Sequence, residues 1–161
     1  MELQHVKGLS ELSAALKELP NRIARNALRQ SVARGAVVIR DEAKTRAPVS
    51  TTPPAPGDPL PGTLKRSIVI KHDKDRSSLT SQTYVVAVRH GKKYRNQGKK
   101  GNRSQDAYYW RWVEFGTVKM AARPFMRPAF EAQKEAAVQE IARVLAERIA
   151  QEAQTLPGAK R

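Results

Sequence analysis

Proline limits this chain more than any other residue. Five prolines fall between Pro53 and Pro61 in the run VSTTPPAPGDPLPG at positions 49–62. Each fixes φ and lacks an amide donor, so neither helix nor sheet interior can form there. The run is expected to be an extended arm. Pro48 pushes the residue before it out of the α region, which ends any helix running into it. Pro20 suits the first turn of such a helix, and Pro124 and Pro128 mark the entry to a last one. The chain therefore reads as helices, an arm, a strand region and a closing helix.

The segment from Asn21 to about Arg46 fits one long amphipathic helix. On a helical wheel Arg22, Arg25, Arg29, Arg40 and Lys44 share one stripe, with Ala24, Leu28, Val38 and Ile39 opposite. Ala27, Ser31 and Gly35 recur every four residues on the inner side. Such small side chains let a sheet or second helix approach closely, which offsets the ~1 kcal/mol that glycine costs in a helix interior. A shorter helix is expected around Leu9, Leu12, Leu16 and Leu19, and a short strand at Leu3 to Lys7. Strands are expected at Lys65 to Lys71 and Thr83 to His90, joined by a polar hairpin connection into an antiparallel pair. The final helix should run from about Arg127 to Ala153, with Phe130, Ala137, Ile141, Leu145 and Ile149 on one face. The tail from 155 to 161 should fray. The fold expected is α+β: a long N-terminal helix and a C-terminal helix packed on a small antiparallel sheet, in a single domain over residues 1–161.

The formal charge is +15, from 30 Lys and Arg against 15 Asp and Glu. Residues 47–113 carry thirteen of the basic groups and four of the acidic ones. Much of that excess lies in RHGKKYRNQGKKGNR, where Arg89, Lys92, Lys93, Arg95, Lys99, Lys100 and Arg103 are interleaved with three glycines and no acid. This composition packs no core and reads as a solvated loop spanning 89–103. Its cations suit contact with DNA phosphates or an acidic partner, and Tyr94 could stack on a base. Sequence-specific readout is not expected without a helix-turn-helix or zinc-finger pattern.

Catalytic chemistry finds little support. The absence of cysteine removes thiolate metal sites and disulfides and fits synthesis in a reducing cytoplasm. His5, His72 and His90 are scattered without metal-ligand spacing. In GKKYRNQGKK the glycines stand two residues too far apart for a phosphate-binding loop, and Lys100 replaces the magnesium-holding hydroxyl. Glu114 has no second carboxylate nearby for acid–base work and is expected to pair with an arginine. No cofactor, metal or enzymatic activity is expected. No apolar run approaches the ~20 residues needed to cross a bilayer, and the N-terminus lacks the order of a signal peptide.

The stretch WVEFGTVKMAARPFMRPAF, Trp112 to Phe130, resembles the tail-completion or head-tail joining family of long-tailed phages. Val113, Glu114, Phe115, Gly116, Thr117, Pro124, Phe125, Met126, Pro128 and Ala129 match that family's pattern. AKTRAPV (Ala43 to Val49) and GTLKRSI (Gly62 to Ile68) look like its two upstream elements, in the right order. The Pro-rich run and the basic loop are longer than is common there. The resemblance implies a structural virion protein: a ring, sixfold by expectation, at the head-tail junction, stacked between tail terminator and head-closure or connector proteins, with DNA crossing its channel. Charge alone leaves an alternative, a free-standing basic nucleic-acid-binding protein. From the residues themselves, Gly116 should permit a tight turn. Phe115, Phe125 and Phe130 should build a hydrophobic corner, each contributing ~1.5 to 3 kcal/mol if buried.

Overall fold

A computed structural model describes residues 9–18, 21–55, 58–91 and 106–155. Helices α1 (Leu9–Glu18), α2 (Asn21–Arg46) and α3 (Thr63–Ser67) precede strands β1 (Ile68–Asp73) and β2 (Thr83–Val88). Helices α4 (Trp110–Phe115) and α5 (Met126–Thr155) follow. The strands form a two-stranded antiparallel sheet, so the architecture is α+β with long helices early and late in the chain. The expected strand at Leu3 to Lys7 and the tail beyond Thr155 lie outside the described residues. No described helix is long and apolar enough to cross a membrane.

Two compact units divide these elements. One takes in the described residues of Met1–Val38, His72–Val85 and Glu135–Arg161; the other comprises those of Ile39–Lys71 and Val86–Lys134. In the first, α2 and α5 meet along the small-residue line expected from the sequence, with Ala27, Ser31 and Gly35 all buried. A Cβ added at Gly35 would lie 2.5 Å from Ile141 Cγ1 and 3.0 Å from the Ala137 carbonyl oxygen. The partner that comes close is thus a helix. Gly35→Ala gains up to ~1 kcal/mol of helix propensity but overpacks this crossing, a defect costing about 1 to 3 kcal/mol. A net loss of about 1 kcal/mol in urea unfolding is expected, where an exposed helical glycine would show a gain.

The arginine stripe is only partly outward. Arg25 and Arg29 are exposed, whereas Arg40 and Lys44 are half-buried; Arg40 bonds to its neighbour Asp41 at 2.8 Å. The connection between the strands is held by its own serines. Ser77 Oγ donates to the Asp73 carbonyl and accepts from the Thr83 amide at 3.0 Å, so a polar segment of no standard hairpin length keeps a defined path. His72 is half-buried. Its Nε2 lies 3.1 Å from Gln82 Oε1 and its ring 4.9 Å from that of Tyr84.

The second unit holds a core of Ala43, Ala47, Leu64, Ile68, Val88, Ala107, Phe125 and Ala129. The strand expected from Lys65 begins three residues later. Gly62, at φ 78°, starts a helical turn in which the Arg66 amide donates to the Gly62 carbonyl at 3.0 Å. Thr63, Leu64, Ser67 and Ile68 are all buried, a three-to-four spacing that a turn of helix satisfies and a strand would split between two faces.

Candidate functional site: the aromatic segment and the start of the last helix

Residues 106–130 hold the densest set of motif side chains, all within the second unit. The sequence offers no ordinary cap for α5. Ala121, Ala122, Arg123, Pro124 and Phe125 precede it, and none carries the short oxygen-bearing side chain that accepts bonds from a first helical turn. Four amides at the start of a helix lack partners within it. Here the first intrahelical bond runs from the Ala129 amide to the Phe125 carbonyl, which leaves Phe125, Met126, Arg127 and Pro128. Pro128 has no N–H. The other three donate to one carboxylate: Phe125 and Met126 to Glu114 Oε2 at 2.8 and 3.0 Å, and Arg127 to Oε1 at 3.2 Å.

Glu114 is therefore a cap supplied from eleven residues upstream. Its charge also opposes the positive end of the helix dipole. It is 7% exposed, and its partners are backbone amides, not the arginine expected for it. Both oxygens are engaged, a structural assignment and not an acid–base one. The clue in the sequence was the missing cap itself, since Glu114 is the only acid between Ala107 and Phe130.

The turn that brings Glu114 back to α5 depends on Gly116, at φ 75° and ψ −179°. Its amide donates to the Trp112 carbonyl at 2.9 Å. Beyond it Thr117 and Met120 exchange bonds of 2.8 and 3.2 Å, and the Arg123 amide donates to the Val113 carbonyl at 2.8 Å. The expectation of a tight turn at Gly116 is met.

Of the three phenylalanines expected in a hydrophobic corner, Phe125 alone is buried, at 0% exposure. Phe115 is 69% and Phe130 49% exposed. The cause is rotational. Turning Glu114 inward sends its neighbour Phe115 about 100° away, and Ala129 pointing into the core does the same to Phe130. Thr117 and Pro124 are exposed, and Val113 and Pro128 are half-buried.

The described part of the Pro-rich run lies along this same segment. Pro48, Pro54, Leu60 and Pro61 face Tyr108, Tyr109, Val113 and Met120 across an open cavity of about 540 Å³. Burial pushes the Tyr109 hydroxyl up from its ordinary pKa, against a hydrogen bond to the backbone of Leu64 that pulls it down.

Of the basic residues singled out, Lys92, Lys93, Arg95, Lys99, Lys100 and Arg103 lie outside the described residues, as does Tyr94. Arg89 is described, and its guanidinium donates to the Arg66 carbonyl at 3.1 Å. Buried Asp106 accepts the Gly91 amide at 2.8 Å, so the residues flanking 92–105 are joined. No group of three or more potential metal-ligating side chains occurs among the described residues.

A small α+β unit whose last helix is capped by a remote carboxylate, with aromatic side chains facing outward, has the character of a packing module. Residues 10–116, about two thirds of the chain, match the HK97-gp10-like family, described as "Bacteriophage HK97-gp10, putative tail-component". The chain belongs to this family and is a structural component of the tailed-phage virion. No curated protein and no solved structure matches it. The family match takes in Glu114 and Gly116 and ends there; the Pro124 to Ala129 half of the motif follows it.

Proposed function

We propose that this tail component is a ring-forming protein of the head-tail junction, acting in tail completion, with the genome passing through its channel. The family match over residues 10–116 carries the reading. The placing at the junction draws on the resemblance of Trp112 to Phe130 and its two upstream companions to tail-completion proteins. The excess of positive charge in residues 47–113 supports it, because a polyanion in a channel is stabilised by cations that need read no sequence. Its neighbours are further copies of itself in a sixfold ring, the tail terminator, and head-closure or connector proteins, with non-specific contact to DNA through the basic segment. The role is structural, without a catalytic step or cofactor.

Electron microscopy of virions carrying a compact label fused to this chain tests the proposal. Label confined to a ring where head meets tail is the expected result. Label along the tail tube or at the distal tip would overturn the placing while leaving family membership intact.

A further inference from the structure

Helix α4 is built inside out. Arg111, Trp112 and Phe115 on α4, with Tyr108 in the turn that leads into it, follow an i, i+3, i+4, i+7 spacing, and all four are exposed. Trp112 is 52% exposed, while on the opposite side the carboxylate of Glu114 is buried. Tyr108 and Trp112 already meet edge to face, with ring centroids 5.7 Å apart. The turn after Gly116 continues the apolar surface with fully exposed Val118. Scattered exposed apolar residues are ordinary, but an aromatic stripe facing water over a buried carboxylate is not. Trp, Tyr, Met and Arg are also the residues enriched where proteins dock.

The charges on this surface choose among occupants. Between Ala107 and Phe130 the chain carries four cations, Arg111, Lys119, Arg123 and Arg127, and one carboxylate, Glu114. That carboxylate is spent on the α5 amides. No ion pair engages Lys119 or Arg123 among the described residues. Asp58 of the Pro-rich run lines the cavity shared with Tyr108, Met120 and Arg123, so the surface is apolar with a rim on which cations outnumber carboxylates. Two copies of the same surface placed face to face would set cation against cation, whereas a carboxylate-bearing partner is drawn in. The apolar area gives a protein partner more to bury than a phosphate backbone offers.

We propose that the outer face of α4 and the following turn dock an acidic, apolar segment of a different virion protein, one in which aspartate or glutamate flanks large hydrophobic side chains. The inference rests on membership of the virion family and not on the place within the virion. Whether the partner sits in the neck or elsewhere is read separately from the label experiment.

A photo-crosslinking residue at Phe115 tests it in assembled particles. The full-length chain with Phe115→p-benzoylphenylalanine is incorporated into virions, irradiated, and the adducts are mapped by mass spectrometry. The expected adduct lies in an acidic, apolar segment of another virion protein. Adducts confined to a second copy of this chain or to DNA, or no adduct at all, overturn the proposal. Adding Lys119→Glu and Arg123→Glu should lower the yield at least about tenfold, the scale expected when rim charges are reversed. Thermal unfolding of the purified chain should not change. An unchanged yield in a chain that folds normally would overturn the electrostatic choice of partner.

Discussion

Replacing Glu114 with alanine is expected to cost the protein about 3 kcal/mol of stability, several times the effect of an average surface substitution. The variant strips partners from three amides at once, those of Phe125, Met126 and Arg127. An ordinary capping side chain satisfies one or two such donors and contributes about 0.5 to 2 kcal/mol, and hydrogen bonds to a charged group contribute about 1.5 to 3 kcal/mol each. The three bonds share one carboxylate and do not add independently, which holds the sum near the upper single-bond figure. Water can reach part of the vacated space beside Arg127 but not the Phe125 amide, which is buried with its residue in the core. Glu114→Gln keeps one acceptor oxygen and loses the charge facing the helix dipole, so about half the loss is expected. Urea unfolding of the two variants checks both the size and the order. Equal losses for Gln and Ala would show that a single acceptor oxygen, without the charge and the second oxygen, contributes nothing to the cap.

This dependence on a distant acid explains why the fold was easier to read from the sequence than the candidate site. The bounds of α2 follow from Pro20 and Pro48, which act on their immediate neighbours, and its inner line of Ala27, Ser31 and Gly35 follows from a period of four along one element. The start of α5 comes within a residue of expectation for the same reason. Periodicity registers which face of a helix wants burial, but it does not register what the helix meets. It therefore left open whether α2 faces a sheet or a helix. It also assigned Phe115 and Phe130 to the interior on their hydrophobicity, when the amides of α5 had decided the rotation of α4 in favour of Glu114. The helical turn at Thr63–Ser67 was missed because Lys65, Arg66 and Ile68 have mixed preferences, and burial of Thr63, Leu64 and Ser67 together decides between helix and strand. Local rules read local structure well; a carboxylate that acts eleven to thirteen residues away follows no period.

Gly116 makes that long reach possible, and Gly116→Ala is expected to destabilise the protein by about 3 kcal/mol, through two effects that a glycine alone avoids. The first is conformational. At φ 75° and ψ −179° the residue occupies a region open essentially to glycine, where another residue pays about 1 to 3 kcal/mol. The second is steric. An added Cβ would lie 2.9 Å from both the Ala122 amide nitrogen and the Met120 carbonyl oxygen, and both are backbone atoms that cannot rotate aside as a side-chain tip would. Relief would require the 117–122 segment to move outward, and the Arg123 amide would then withdraw from the Val113 carbonyl, which it meets at 2.8 Å. Because Glu114 reaches α5 across this turn, the damage should propagate to the cap. A double variant with Glu114→Ala should then lose less than the sum of the two single losses, since much of what Gly116 protects is the cap itself. Strict additivity in that double-mutant cycle would show that the turn and the cap are independent and that the alanine at 116 acts through local strain alone.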